Sequence, residues 1–180
     1  MHILLTGSSG WLGETLAPRL ARDGHRVVGL DIRPGRATSY VGSITDRALI
    51  DHVMAAEGIT AVIHSGALHK PDIARHRADN FVAVNVQGTL NLLEAAVVAG
   101  ADRFVFTSTT SLMISSEIRA GRAGGATRAV WITEALQPLA PRNIYGVTKL
   151  AAEHLCRITG RPWSCAVIRH RCSAASLVTP

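Results

Sequence analysis

The chain has 180 residues, 47% of them hydrophobic and 18% charged, enough for one domain with a sizeable core. A net charge of +6 raises nucleic acid as a partner, but the arginines are scattered, grouped only loosely at Arg119, Arg122 and Arg128. No aromatic residues interleave with them as a single-strand groove requires, so a solvated surface, and no nucleic acid, is the expectation. No stretch approaches the ~20 apolar residues of a membrane helix, no secretory leader is visible, and Cys156, Cys165 and Cys172 form no Cys-x-x-Cys pair. A soluble cytoplasmic protein with free thiols follows as the expectation.

In chain order the apolar runs predict strands at His2–Thr6, Arg26–Asp31, Ile59–His64, Arg103–Ser108 and Ser164–Arg169, with a short one near Thr38–Val41. Between them, helical patterns cover Trp11–Asp23, Asp46–Glu57, a long segment near Arg75–Ala99, and Ile144–Thr159. Apolar strands alternating with helices imply a parallel sheet covered on both faces. Ser115–Gly125, SSEIRAGRAGG, is rich in Gly, Arg, Ser and Ala and reads as a mobile loop.

The first strand runs into TGSSGWLG, with glycines at Gly7, Gly10 and Gly13. In a strand–glycine turn–helix unit the first glycine allows the tight turn, the second lets a pyrophosphate approach, and the third lets helix and strand pack. The helix N-terminus then offers free N–H groups and a positive dipole end to phosphate. Asp31 ends the second strand, 18 residues beyond Gly13, near the ~20-residue spacing of the acid that binds a ribose 2′-hydroxyl. A carboxylate there repels a 2′-phosphate and favours NAD over NADP, while Arg33 and Arg36 nearby leave the reverse open. No Gly-Lys-Ser/Thr closes the turn, so a Walker loop is excluded.

The second informative stretch is NIYGVTKLAAEHL, Asn143–Leu155, which puts Tyr145 and Lys149 one helical turn apart. The chain holds two lysines against seventeen arginines, so a lysine at this spacing stands out. A free phenol, with a pKa of about 10, is too weak an acid to serve as a base at neutral pH. A nearby ammonium favours the phenolate, and its three donors can also hold ribose hydroxyls. A phenol tuned in this way can take a proton from an alcohol or return one to a ketone.

Together with VGSITD (Val41–Asp46), HSGA (His64–Ala67), NVQGT (Asn85–Thr89), FVFTSTT (Phe104–Thr110) and YGVTK (Tyr145–Lys149), these stretches resemble the extended short-chain dehydrogenase/reductase superfamily. Within it they resemble the NAD-dependent epimerase/dehydratase group, in family order over residues 1 to about 169. The resemblance implies a doubly wound α/β fold of Rossmann type, strand order 3-2-1-4-5-6. It implies Tyr145 as general acid/base, Lys149 lowering its pKa and holding the nicotinamide ribose, and Thr109, with Ser108 as neighbouring candidate, hydrogen-bonding the reacting oxygen. Gly7, Ser9, Gly10, Gly13, Asp31, Arg33 and Thr107 join the cofactor site. So do backbone at Trp11 and Leu12 for the pyrophosphate, Ser43 and Ile44 beside the adenine, and Gly66, Ala67 and His69 along the cleft. Asn85 braces the central helices. His64 and His69 also invite a metal reading, but nothing else converges on them and no metal is expected.

The implied partners are a sugar or nucleotide-sugar substrate and a second copy of the chain, paired through helices 82–99 and 144–159. Four departures from the family pattern qualify this. Serine stands at position 43 where the family carries aspartate, and 36 residues separate Thr109 from Tyr145. Thr110 and Ser111 replace the Asp-Glu pair of dehydratases, leaving epimerisation or simple oxidation–reduction. After Arg169 only HRCSAASLVTP (170–180) remains, which reads as an atypical tail with the C-terminal substrate domain missing. A fragment is the expectation, a tail translated out of frame being one form of it, binding cofactor without efficient turnover on its own. A non-catalytic dinucleotide-binding module remains the alternative.

Overall fold

The structure, a computed structural model, describes residues 1–114, 116–120, 139–159 and 166–168. Six parallel strands form one sheet: β1 (His2–Thr6), β2 (Arg26–Asp31), β3 (Tyr40–Val41), β4 (Ala61–His64), β5 (Arg103–Thr107) and β6 (Ala166–Ile168). Their spatial order is β3-β2-β1-β4-β5-β6, as expected from the resemblance. Beside β1 the order reverses, β2 lying on one flank and β4 on the other. A cleft beyond the carboxyl ends of the strands opens at such a switch point.

The alternation of side chains along each strand sets the two faces. Leu4, Val28, Leu30, Val62, Phe104 and Phe106 share one buried cluster with residues of α2 (Arg47–Ala56), α4 (Gly88–Val98) and α6 (Ile144–Ile158). Ile3 and Leu5, also buried, alternate to the opposite face, and α1 (Trp11–Arg22) packs on β1 and β2. Helix starts follow local chemistry. Asp46 caps α2 by accepting from Leu49 N at 3.1 Å, and Asn143 caps α6 by accepting from Gly146 N at 2.9 Å. Each such cap is worth about 1 kcal/mol.

The long predicted helix is more varied than its sequence pattern. A 3-10 turn (Lys70–Ala74) leads to α3 (Ala78–Phe81), a π-helical turn (Val82–Gln87) and then α4. Ala78–Val98 forms a 21-residue helix with a hydropathy of 1.4, long and apolar enough by length and composition to cross a membrane. That revises the expectation that no segment approaches such a length. Half of that helix's most apolar stretch is buried, and it packs against α2, α6 and β4, so its apolar side chains are those of a core helix. In the predicted Ser115–Gly125 loop, Ser116–Arg119 is one helical turn, α5. Residues 115 and 121–125, with the tail 170–180, lie outside the described residues.

Candidate functional site

The turn after β1 depends on two glycines for different reasons. Gly7 has φ +73°, a left-handed conformation, and a Cβ there would meet Gly66 N, in the loop after β4, at 2.7 Å. A Cβ on Gly13 would lie 2.3 Å from Gly7 O and 2.6 Å from Ser8 Cα, so the helix can sit against the turn only without a side chain. Gly10 differs: its Cβ would meet nothing closer than Gly7 O at 3.2 Å, and the space it leaves belongs to the cleft. Gly10 is the N-cap of α1, and Glu14 N to Gly10 O is the first helical bond. The amides of Trp11, Leu12 and Gly13 therefore have no acceptor within the helix. Trp11 is 79% exposed and does not line the cleft.

Asp31 ends β2 beside this turn. Its Oδ2 accepts from Ser9 N at 3.0 Å and its Oδ1 from Arg33 N at 3.1 Å. The carboxylate thus ties the strand end to the glycine turn, a contact the 18-residue spacing alone did not show. A cleft of about 560 Å³ gathers Gly7, Gly10, Asp31, Arg33, Ser43, Ile44, Gly66, Ala67 and His69 on one lining. The Ser43 hydroxyl faces Thr45, 2.7 Å from its Oγ1, closing a local turn. Leu68, Asp72 and His76 also line the cleft and were missed, since no motif marks them. Asp72 is signalled only by its spacing from His69, whose amide it accepts at 2.7 Å in a capping pair.

Asn85 is buried and lines no part of the cleft. Its Oδ1 accepts from Leu68 N at 2.8 Å, while its Nδ2 donates to Leu68 O at 3.0 Å and to Thr148 Oγ1 at 3.1 Å. It pins the loop that forms the cleft wall to α6. The π-helical turn around it is frequent at functional positions, and no residue type announces it.

At the exit of β5, three successive residues meet α6. Thr107 O accepts from Lys149 Nζ at 2.5 Å. The Ser108 hydroxyl donates to Glu153 Oε1 at 2.5 Å. Thr109 Oγ1 accepts from Ser111 N at 3.1 Å, and the same side chain pulls the Tyr145 phenol down. Of the two hydroxyl candidates, Ser108 is therefore turned into the core and Thr109 towards Tyr145. Thr107 serves through its carbonyl and does not line the cleft. The Tyr145 ring packs on His69, 5.8 Å between centroids, and His69 joins it to the cleft.

The electrostatics differ from expectation. Lys149 is buried, with Nζ 4.0 Å from the centre of the Phe106 ring, and burial pushes its ammonium down to about 7 against the opposing influence of Cys156 and Glu153. Burial also raises the Tyr145 phenol above its usual value, with only the Thr109 hydrogen bond pulling it down. The lysine was expected to acidify the tyrosine; here the desolvation of the phenol is the largest influence on it and runs the other way. Burial and the Lys149 charge lower the His69 imidazole, opposed by Asp72.

His64 is locked between two threonines. Its Nδ1 lies 2.7 Å from Thr6 Oγ1 and its Nε2 lies 3.0 Å from Thr89 Oγ1. Thr89 donates its hydroxyl proton to Asn85 O, so it can only accept from Nε2–H, and Thr6 donates to Nδ1. Burial holds this imidazole neutral, with a pKa of about 3. The histidine links β1, β4 and α4, and among the described residues no group of three potential ligands gathers into a metal site.

The family model described as "NAD dependent epimerase/dehydratase family" matches residues 3–175. A UDP-glucose 4-epimerase of Haemophilus influenzae is 29% identical over 176 residues, 89% of this chain and 49% of its own length. A short-chain dehydrogenase/reductase superfamily protein of Agrobacterium tumefaciens, solved with bound NAD, superposes with a TM-score of 0.75 at 34% identity. That match covers 94% of this chain and 48% of the other. The enzyme WbmG of Bordetella bronchiseptica, solved with NAD and UDP, superposes with a TM-score of 0.71 at 30% identity over 91% of this chain and 51% of its own. The chain spans about half the length of the curated relatives it matches.

Proposed function

Because the chain belongs to the NAD dependent epimerase/dehydratase family, we propose that it binds NAD and contributes the proton-transfer half of an epimerase or dehydrogenase acting on a sugar hydroxyl of a nucleotide sugar. The observation that carries this is that the glycine turn and Asp31 line one cleft at the carboxyl ends of the strands, and that Tyr145, one turn of α6 from Lys149, packs on His69 of that cleft. The residues fit a dinucleotide. The gap left at Gly10, the amides of the first turn of α1 and the close approach of Gly7 to Gly66 form a cradle suited to a pyrophosphate. Asp31 at the end of β2 suits ribose hydroxyls and disfavours a 2′-phosphate, which supports NAD over NADP. Solved relatives with bound NAD, and one with UDP as well, support the same ligands.

When bound, NAD supplies the hydride acceptor. The chain's own part is the proton. Tyr145 takes it from the sugar hydroxyl and can return it to a ketone, while Thr109 holds the phenol and reaches towards the same oxygen. Lys149, bound to Thr107 O, places its charge one helical turn below the tyrosine. Thr110 and Ser111 follow Thr109 with no carboxylate, which supports redox or epimerisation over loss of water.

Calorimetry with NAD and with NADP tests the binding half, and absorbance at 340 nm with a panel of UDP-sugars tests the chemistry, with Tyr145→Phe as control. We expect NAD to bind more tightly than NADP, and any NADH formed to vanish in Tyr145→Phe. No heat with either dinucleotide would overturn the proposal.

A further inference from the structure

The cleft and the acid/base group adjoin without merging. The glycine turn, Asp31 and the loop after β4 line the cleft, whereas Tyr145, Lys149 and Thr109 do not. Tyr145 is only 6% exposed and Lys149 only 3%. One side chain belongs to both places. His69, at the start of the 3-10 turn, lines the cleft and packs its ring on that of Tyr145. The centroids lie 5.8 Å apart and the rings are tilted by 43°, within the range of an aromatic pair. The way from the cleft to the phenol therefore leads past the imidazole.

The backbone under this ring is fixed from two directions. Asp72 Oδ2 accepts from His69 N at 2.7 Å. The preceding residue, Leu68, is gripped by Asn85, which accepts from its amide at 2.8 Å and donates to its carbonyl at 3.0 Å. Asn85 also donates to Thr148 of α6, so the frame is tied to the helix that carries Tyr145. What such a frame leaves to move is the side chain. His69 is exposed, so its ring can turn on its own torsions without unpacking the core. Exposed side chains change rotamer in picoseconds to nanoseconds, far faster than a loop moves.

We propose that His69 controls access to Tyr145: its ring screens the phenol from the cleft and has to turn aside before the reacting end of a ligand reaches it. This rests on the reading of the cleft as a dinucleotide site with Tyr145 as its acid/base group, and it adds the side chain that decides what reaches that group. A ligand that ends at the glycine turn, such as ADP, leaves the screen in place. NAD carries a further ribose and ring and has to displace it, and its affinity is reduced by the fraction of molecules in which the screen stands closed.

Hydroxyl-radical footprinting of the ligand-free protein, read by tandem mass spectrometry, follows both tyrosines. Tyr40, bonded to Glu57 Oε1 at 2.7 Å on the edge strand β3, is the reference for intact folding. In His69→Ala and His69→Ser the oxidation rate of Tyr145 should rise about threefold or more, because nearly all of this large ring is still covered in the wild type. Tyr40 should keep its rate. Serine retains a capping oxygen for the 3-10 turn and serves should alanine disturb it. His69→Phe restores a ring and should return Tyr145 to the wild-type rate.

Calorimetry then compares ADP with NAD. The two small variants should bind NAD about two- to tenfold more tightly than the wild type, the equivalent of one aromatic contact released, and ADP with unchanged affinity. The proposal is overturned if Tyr145 is oxidised no faster in the small variants than in the wild type, if His69→Phe uncovers it as far as His69→Ala does, or if the affinities for ADP and NAD shift together. Heat with neither ligand removes the dinucleotide reading, and the displacement with it. An unchanged footprint beside normal NAD binding removes the screen alone.

Discussion

Lys149→Met offers a measurement in which sign and size both follow from burial. The ammonium ordinarily titrates at 10.5, and in the fold it titrates at about 7. Between those values the unfolded chain holds a proton that the folded chain has released, so stability rises with pH throughout that window. Below about pH 7 both states are protonated and the cost of burying the charge is present in full; above 10.5 it is gone. Each pH unit inside the window is worth about 1.4 kcal/mol. Moving from pH 7.5 to 9.5 should therefore stabilise the wild type by about 2 to 3 kcal/mol relative to Lys149→Met, which carries no such proton. Urea unfolding of both proteins at the two pH values, followed by far-UV circular dichroism, reads the difference directly. General alkaline effects cancel between the pair. Parallel curves, with the stability gap unchanged to within about 0.5 kcal/mol, would show that the lysine keeps its ordinary pKa, and that burial is not what sets its charge.

Gly13→Ala should cost about 2 to 3 kcal/mol in urea unfolding, since its Cβ falls 2.3 Å from a backbone carbonyl that cannot move freely. Gly10→Ala, with its nearest neighbour at 3.2 Å, should unfold close to the wild type yet weaken NAD binding by calorimetry at least tenfold; equal stability losses in the two variants would contradict the division of labour drawn for the turn. His64, neutral in the fold with a pKa of about 3 and ordinarily near 6.5, should make the wild type lose about 2 to 3 kcal/mol relative to His64→Gln between pH 7 and pH 4.5, because only the unfolded state gains the proton there. A stability difference constant over that range would refute the buried neutral imidazole.

What could be read along the chain was whatever local chemistry dictates. The strand order followed from a family pattern carried by short motifs, and the caps Asp46 and Asn143 stood at the edges of the expected helices. Gly7 and Gly13 were legible because a tight turn and a close helix approach leave few alternatives to glycine. The polar contacts between elements were not legible. Glu153 looks like any helix glutamate until β5 is laid beside α6, and Asn85 shows its bonds to Leu68 and Thr148 only once a π-helical turn has rotated it inward. Such partners are fixed by tertiary register, which periodicity does not encode.

The largest departure from expectation concerns how a tyrosine with a raised pKa is made useful. An ammonium acidifies a phenol only while it stays charged, and Lys149, near 7, is balanced between its two forms at neutral pH. The phenol and the ammonium are each drawn back by neighbours that oppose their burial. Thr109 pulls the phenol down directly, and Cys156 and then Glu153 push the lysine back towards its charged form. Glu153 itself is buried at 0% exposure, where Ser108 and Arg157, not water, meet its carboxyl oxygens.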